Sequence, residues 1–196
     1  MRGTQLQPAS ASQFGRFFRS WIQNPLSIGA VAPSSRPLAR LMVRDLHGDS
    51  RVVEFGSGTG TVTQAIVDRG VKANNLCLIE QHAQFIEILR GRFPGALTVE
   101  ADVTRLNGEL AEWAGSVDFI VSGLPLVLFN RARKRSLLTQ AFDLLNERGS
   151  FHQFTYAACC PISKSLLAEL GLRATRLGIA AFNFPPAFVY RFERER

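Results

Sequence analysis

Cysteine is scarce, three in 196 residues. Cys77 stands alone and Cys159-Cys160 form an adjacent pair, a spacing that fits neither a disulfide framework nor a metal cluster. The scarcity suits a reducing compartment, and all three read as structural. No apolar run approaches the roughly 20 residues that a membrane span requires. The N-terminus lacks the unbroken apolar block of a signal peptide, so a cytoplasmic protein is expected. Lysine is nearly missing, because arginine supplies 20 of the 23 basic residues. Arginine suits bidentate phosphate contacts, although base composition produces the same bias without function. Internal repeats and low-complexity linkers are also absent. What remains is an ordinary globular composition, 46% hydrophobic, at a length suited to one α/β domain with a well-buried core.

Positive charge is placed unevenly. The formal net charge is +7, and residues 1–51 hold seven arginines against Asp45 and Asp49, so 7 − 2 = +5 lies in that first quarter. That end is expected to seek anions. Within it, Phe14, Phe17, Phe18, Trp21 and Ile22 fall at i, i+3, i+4, i+7 and i+8, one stripe of a helix, with Gln13, Arg16, Arg19, Ser20 and Gln23 around the remainder. Ser10 and Gln13 form a capping box, and Asn24-Pro25 ends the helix. Such a stripe either packs on its own domain or lies in a membrane interface.

The most informative run is Val52-Val53-Glu54-Phe55-Gly56-Ser57-Gly58-Thr59-Gly60, a short apolar strand followed by glycines on alternate positions and then a helix from about Thr61. Glycine tolerates unusual dihedrals and lets backbone approach a ligand. The helix N-terminus directs its free N–H groups back at the loop. Two further strands, 76–80 and 97–101, each carry a carboxylate at or just past the end, Glu80 and Asp102. Glu80 lies 24 residues beyond Gly56, where an acid at the end of the second strand accepts hydrogen bonds from ribose hydroxyls. Asp102 is placed to accept from an exocyclic amine.

Strands and helices alternate along the chain. Helices are expected over 37–46, 61–69, 83–92, 107–113, 131–146 and from 161 to about 170. Strands are expected over 51–55, 76–80, 97–101, 117–122, 150–156 after a turn at Arg148-Gly149, 172–179 and 187–192. Alternation of this kind predicts a parallel sheet covered on both faces, with ligands beyond the carboxyl ends of the strands. The terminal pair of strands reads as a hairpin instead of a crossover.

Together, Glu54 to Gly60, Glu80 and Asp102 resemble the cofactor motifs of class I S-adenosylmethionine-dependent methyltransferases. More closely, the chain is similar to the bacterial phospholipid N-methyltransferases that act on phosphatidylethanolamine. That likeness rests on Asn24-Pro25, Gly29-Ala30-Val31-Ala32-Pro33-Ser34-Ser35, Ser122-Gly123-Leu124-Pro125, Phe154-Thr155-Tyr156 and Asn183-Phe184-Pro185-Pro186-Ala187. The resemblance implies a Rossmann-like α/β fold, a seven-stranded mostly parallel sheet with its last strand antiparallel. It divides the chain into an N-terminal membrane-binding helix and loop, 1–33, and a methyltransferase domain, 34–196. Glu54, Gly56, Ser57, Gly58, Gly60, Glu80, Gln81, Asp102, Val103 and Ser122 would bind S-adenosylmethionine, leaving S-adenosylhomocysteine as product. Ser122 and Tyr156 would face the reacting amine, Tyr156 by cation–π attraction. No metal is expected.

By the same resemblance the enzyme would methylate phosphatidylethanolamine and its methylated derivatives toward phosphatidylcholine, as a peripheral protein on the inner face of the cytoplasmic membrane. Phe14, Arg16, Phe17, Phe18, Arg19, Trp21 and Ile22 would contact the anionic phospholipid surface. Arg131, Arg133 and Lys134 add a second basic cluster, where like charge at a helix N-terminus calls for an anionic partner. The related adenine methyltransferases carry an amide and an aromatic in the loop where Ser122 and Leu126 stand here, which counts against a nucleic-acid substrate. An RNA adenine methyltransferase and a non-catalytic membrane-binding protein are the alternatives.

Overall fold

A computed structural model describes residues 35–106, 108–181, 183 and 186–195. The expected amphipathic helix over Phe14–Ile22 and the segments 24–25 and 29–34 lie outside them. Helix α1 spans Arg36–Met42, capped by Ser35, whose hydroxyl accepts from the Leu38 N–H. It is shorter than the 37–46 expected. Strand β1 (Val52–Phe55) leads through the glycine loop to α2 (Thr61–Asp68), then come β2 (Leu76–Glu80), α3 (Ala83–Arg92), β3 (Leu97–Glu100) and β4 (Val117–Ser122). Of the helix expected at 107–113, a single 3-10 turn forms at Ala111–Trp113. Gly108 before it takes φ +96°, which breaks a helix, and Asn107 is outside the described residues.

Helix α4 (Arg131–Leu144) runs directly into β5 (Leu145–Thr155). The strand therefore starts before the expected turn at Arg148-Gly149, which becomes an irregularity in the pairing: Val117 opposes Leu145, but Phe119 already opposes Ser150. Gly149 is required there, because a Cβ would stand 2.8 Å from the Val117 carbonyl oxygen. Helix α5 (Lys164–Glu169), β6 (Leu172–Ala180) and β7 (Ala187–Arg194) complete the chain.

The sheet has the order β3-β2-β1-β4-β5-β7-β6. Strands β1 to β5 are mutually parallel, and β7 is antiparallel to both β5 and β6. The hairpin expected from sequence thus closes the sheet, with β7 inserted between β5 and β6. One face buries Val53, Phe55, Cys77, Ile79, Ile120, Phe151 and Phe192 with Leu137, Leu138 and Ala141 of α4 and Leu166 of α5. Alternation along the strands sends Val52, Leu76, Leu78 and Val121 to the other face, and all four are buried there as well. Near-continuous apolar strands such as 76–79 are what a sheet covered on both faces demands. Because five strands run the same way, Phe55, Glu80, Glu100, Ser122 and Thr155 all end on one edge.

Candidate active site

That edge is built on the glycine loop. Gly56, Gly58 and Gly60 take φ of +74°, +53° and +84°, a region in which side chains are strained. Their surroundings differ. A Cβ on Gly56 would lie 2.6 Å from Leu124 Cδ2, and one on Gly60 would lie 2.4 Å from the Phe93 ring. A Cβ on Gly58 would meet nothing within 4 Å, so the middle of the loop borders open space. The loop is pinned from behind: the Gly56 N–H donates to the Ile79 carbonyl at 2.8 Å, and the Gly60 N–H to the Ser57 carbonyl at 2.9 Å. Gly60 serves as N-cap of α2 with no side-chain cap, leaving first-turn N–H groups of that helix for a ligand.

Glu80 is nearly buried and tightly oriented. One carboxylate oxygen accepts from the Gln81 N–H at 2.8 Å, the His82 N–H at 3.0 Å and His82 Nδ1 at 2.7 Å. The other accepts from the Gly58 N–H at 3.0 Å and keeps a lone pair for a further donor. Strand β2 and the glycine loop of β1 are therefore joined at the atom expected to hold a ribose. Glu54 lies behind them, fully buried, accepting from the Thr63 hydroxyl at 2.6 Å. Burial pushes its carboxyl up to about 8; the Thr63 hydroxyl opposes that shift and the Glu80 charge adds to it. Glu54 thus supports the loop from inside as a largely neutral acid.

Asp102 accepts from the Thr104 N–H at 2.9 Å and its hydroxyl at 2.8 Å. Partial burial raises its carboxyl, but the Thr104 hydrogen bonds and the nearby Arg133 and Arg105 charges outweigh that and hold it below the usual range. Val103 beside it is buried. Ser122 is fully buried, its hydroxyl accepting from the Leu124 N–H at 3.3 Å, so it shapes the loop after β4. Gly123 packs directly on the glycine loop: its N–H donates to the Phe55 carbonyl at 2.9 Å, and a Cβ there would touch the Gly56 carbonyl oxygen at 2.9 Å. Tyr156 follows β5 on the same edge, edge-on to Phe154 at 5.4 Å, with the Asn183 amide donating to its hydroxyl at 3.5 Å. Burial raises its pKa, the Asn183 bond opposing, so the phenol stays neutral.

The basic cluster at the start of α4 is met inside the chain. Arg131 and Arg135 both reach Glu169 of α5, at 2.5 and 2.8 Å; Arg133 lies over the Phe129 ring and 3.8 Å from Asp102. Lys134 Nζ donates to the Pro161 carbonyl at 2.7 Å. These partners supply the anions that the helix start called for, which removes that argument for an external anion there. His152 is likewise internal: its Nδ1 donates to the Met42 carbonyl at 2.7 Å and its Nε2 accepts from the Ser150 hydroxyl at 3.0 Å. It ties α1 to the sheet, and burial lowers its pKa.

Two residues at this edge have roles that sequence reasoning did not assign. Asn183 bridges Tyr156 and the Ser35 N–H. Gln153 is fully buried, and its amide donates to the Leu124 and Phe154 carbonyls, both at 2.8 Å, holding the loop after β4. The one available signal was a glutamine next to a histidine inside a strand, between Phe151 and Phe154.

The strand order, the glycine loop and the acid at the end of β2 place the chain among known proteins. A family model described as a methyltransferase domain matches residues 52–149. The chain belongs to that methyltransferase family. Over 148 residues it is 34% identical to the ornithine lipid N-methyltransferase of Singulisphaera acidiphila, an alignment taking in 72% of this chain and 74% of that protein. Among solved structures it is similar to the 1,6-didemethyltoxoflavin-N1-methyltransferase of Burkholderia thailandensis, solved with S-adenosylhomocysteine. The TM-score is 0.66 at 13% identity, covering 98% of this chain and 94% of that one. It is also similar to phosphoethanolamine N-methyltransferase 1 of Haemonchus contortus, TM-score 0.62 at 13% identity, over 93% of this chain and 49% of that one.

The methyltransferase is S-adenosylmethionine-dependent, with the class I fold, and its residues fit that cofactor. Gly58 borders open space, Glu80 has a spare lone pair at ribose reach, and α2 presents uncapped N–H groups. When bound, S-adenosylmethionine supplies an electrophilic methyl on a sulfonium. Among the described residues, no helix is long and apolar enough to cross a membrane.

Proposed function

We propose that this methyltransferase transfers methyl groups to the headgroup amine of a membrane lipid, phosphatidylethanolamine and its methylated derivatives, toward phosphatidylcholine. The observation that carries the reading is the 34% identity, over about three quarters of its length, to an enzyme that methylates the nitrogen of a lipid. The choice of phosphatidylethanolamine rests on the flanking segments 24–25, 29–35, 122–125, 154–156 and 183–187. Ornithine lipid is the second reading, favoured by the same relative.

In-line attack requires a neutral nitrogen held close to the methyl, and positioning supplies much of the rate. The loop 122–125 is the part best placed for that task, because Gly123 and Leu124 pack on the glycine loop while Gln153 fixes the Leu124 carbonyl. Tyr156, neutral and oriented by Asn183, offers its ring to a methylammonium. A site closed to water then lowers the cost of bringing an uncharged amine to a cationic sulfur. No side chain at this edge acts as a dedicated base in this scheme; the ammonium loses its proton to solvent before it is enclosed. The stripe Phe14, Phe17, Phe18, Trp21 and Ile22, with Arg16 and Arg19, would bring the enzyme to the inner face of the cytoplasmic membrane.

Initial rates on vesicles holding either phosphatidylethanolamine or ornithine lipid, with structured RNA as a third acceptor, test the assignment. Transfer to phosphatidylethanolamine with at most trace transfer to the others is the expected result. Preference for ornithine lipid moves the assignment to the second reading, and transfer to RNA alone overturns both.

A further inference from the structure

Running from that edge along the length of α2, a groove of ≈ 350 Å³ between α1 and α2 has a lining that includes Arg36, Arg40, Arg92, Thr61, Gln64 and Asp68. Arg36 and Arg40 are one helical turn apart on α1, so their charges face the same side. Among the described residues, neither makes a hydrogen bond or an ion pair. Arg92, across the groove, donates to the Thr59 carbonyl and lies over the Phe93 ring at 5.0 Å. Among the described residues, the one acid lining the groove is Asp68, which is engaged by the Gln64 amide at 2.9 Å and leaves the two α1 guanidiniums unpaired. Elsewhere the molecule pairs its clustered arginines, as Glu169 pairs Arg131 and Arg135. Like charges one turn apart repel, and a planar guanidinium pair matches the oxygens of a phosphate.

We propose that this groove binds the phosphate of an anionic lipid headgroup and so turns the methyl-transfer edge toward the bilayer. The inference rests on the lipid reading above and adds to it a membrane contact within the methyltransferase domain. Lipid phosphate is favoured over nucleic acid because, among the described residues, no aromatic side chain lines the groove to stack a base. Thr61 opens α2 at the carboxyl edge, so the groove reaches that edge at one end.

The test is sedimentation of the full chain with phosphatidylcholine vesicles with and without phosphatidylglycerol, comparing the unchanged protein with Arg36→Ala/Arg40→Ala. Both arginines are exposed, and neither belongs to the cofactor site. The double variant should bind phosphatidylglycerol vesicles roughly thirty-fold more weakly. A control with the same charge loss at the opposite edge, Arg148→Ala/Arg173→Ala, should change binding less than three-fold. Two further arms separate the sources of phosphate: calorimetric titration with inorganic phosphate, and binding of a short structured RNA. Equal loss in the groove and control variants, or unchanged vesicle binding with loss of inorganic phosphate or RNA binding alone, overturns the proposal. Methylation of phosphatidylethanolamine in neutral detergent micelles should proceed alike in both proteins. If the unchanged protein methylates it and the groove variant still sediments normally, this inference alone falls. If the unchanged protein never methylates a lipid amine, the lipid reading falls and takes this with it.

Discussion

Glu80 concentrates the site's chemistry in one carboxylate, and its value depends on what surrounds it. Three donors fix one oxygen while the other takes the Gly58 N–H, so little freedom is lost when a diol arrives. Glu80→Gln replaces an ionised acceptor by a neutral one and should weaken S-adenosylhomocysteine roughly 10- to 100-fold, read by calorimetry. Glu54 behaves differently. Its carboxyl titrates near 8 in the folded chain against an ordinary 4.5, so the folded state keeps a proton that the unfolded state releases between those values. Stability should therefore be greatest below pH 4.5 on this account and fall as pH rises toward 8, by a few kcal/mol. Glu54→Gln, neutral throughout and still able to accept from Thr63, should flatten that dependence. Thermal melts of both proteins from pH 5 to pH 8 check it: the variant should gain on the parent as pH rises.

At the scale of elements, the glycine loop and the strands behind it were legible because their signals are local. Positive φ at Gly56, Gly58 and Gly60 needs glycine, and apolar runs between charged segments mark buried strands. Residues 76–80, 83–92 and 117–122 accordingly form the elements their sequence predicts. Start and stop signals were weaker where a neighbour decides the outcome. Strand β5 begins at Leu145 because the start of β4 pairs with it, and the stretch before Trp113 forms one turn because Gly108 leaves the helical region. The partners of Arg131 and Arg135 were hidden for a similar reason, since Glu169 comes from a helix more than thirty residues away. Gln153 was hidden because its two acceptors are set by the fold. Gly60→Ala tests the loop directly: a methyl at φ +84°, driven into the Phe93 ring, should destabilise the chain by about 1–3 kcal/mol and weaken cofactor binding. Denaturant midpoints and calorimetry on the same samples measure both.

For the whole molecule, the question is how the catalyst meets an amine that stays in a bilayer. The chain carries +7, with the excess toward its N-terminus, so attraction to an anionic surface should weaken steeply with salt. Replacing Phe14, Phe17 and Trp21 together by Ala should abolish sedimentation with anionic vesicles while S-adenosylhomocysteine affinity stays within two-fold; retained sedimentation would remove the N-terminal stripe from the account. On the proposed function, the methyl held at the carboxyl edge passes to a lipid nitrogen. Carbon-13 NMR of the full chain with methyl-labelled S-adenosylmethionine and phosphatidylethanolamine vesicles tests it most directly. The label should leave the sulfonium and reappear as an N-methyl resonance in the vesicle fraction; label that stays on the nucleoside, or moves only to a soluble acceptor, would rule that transfer out.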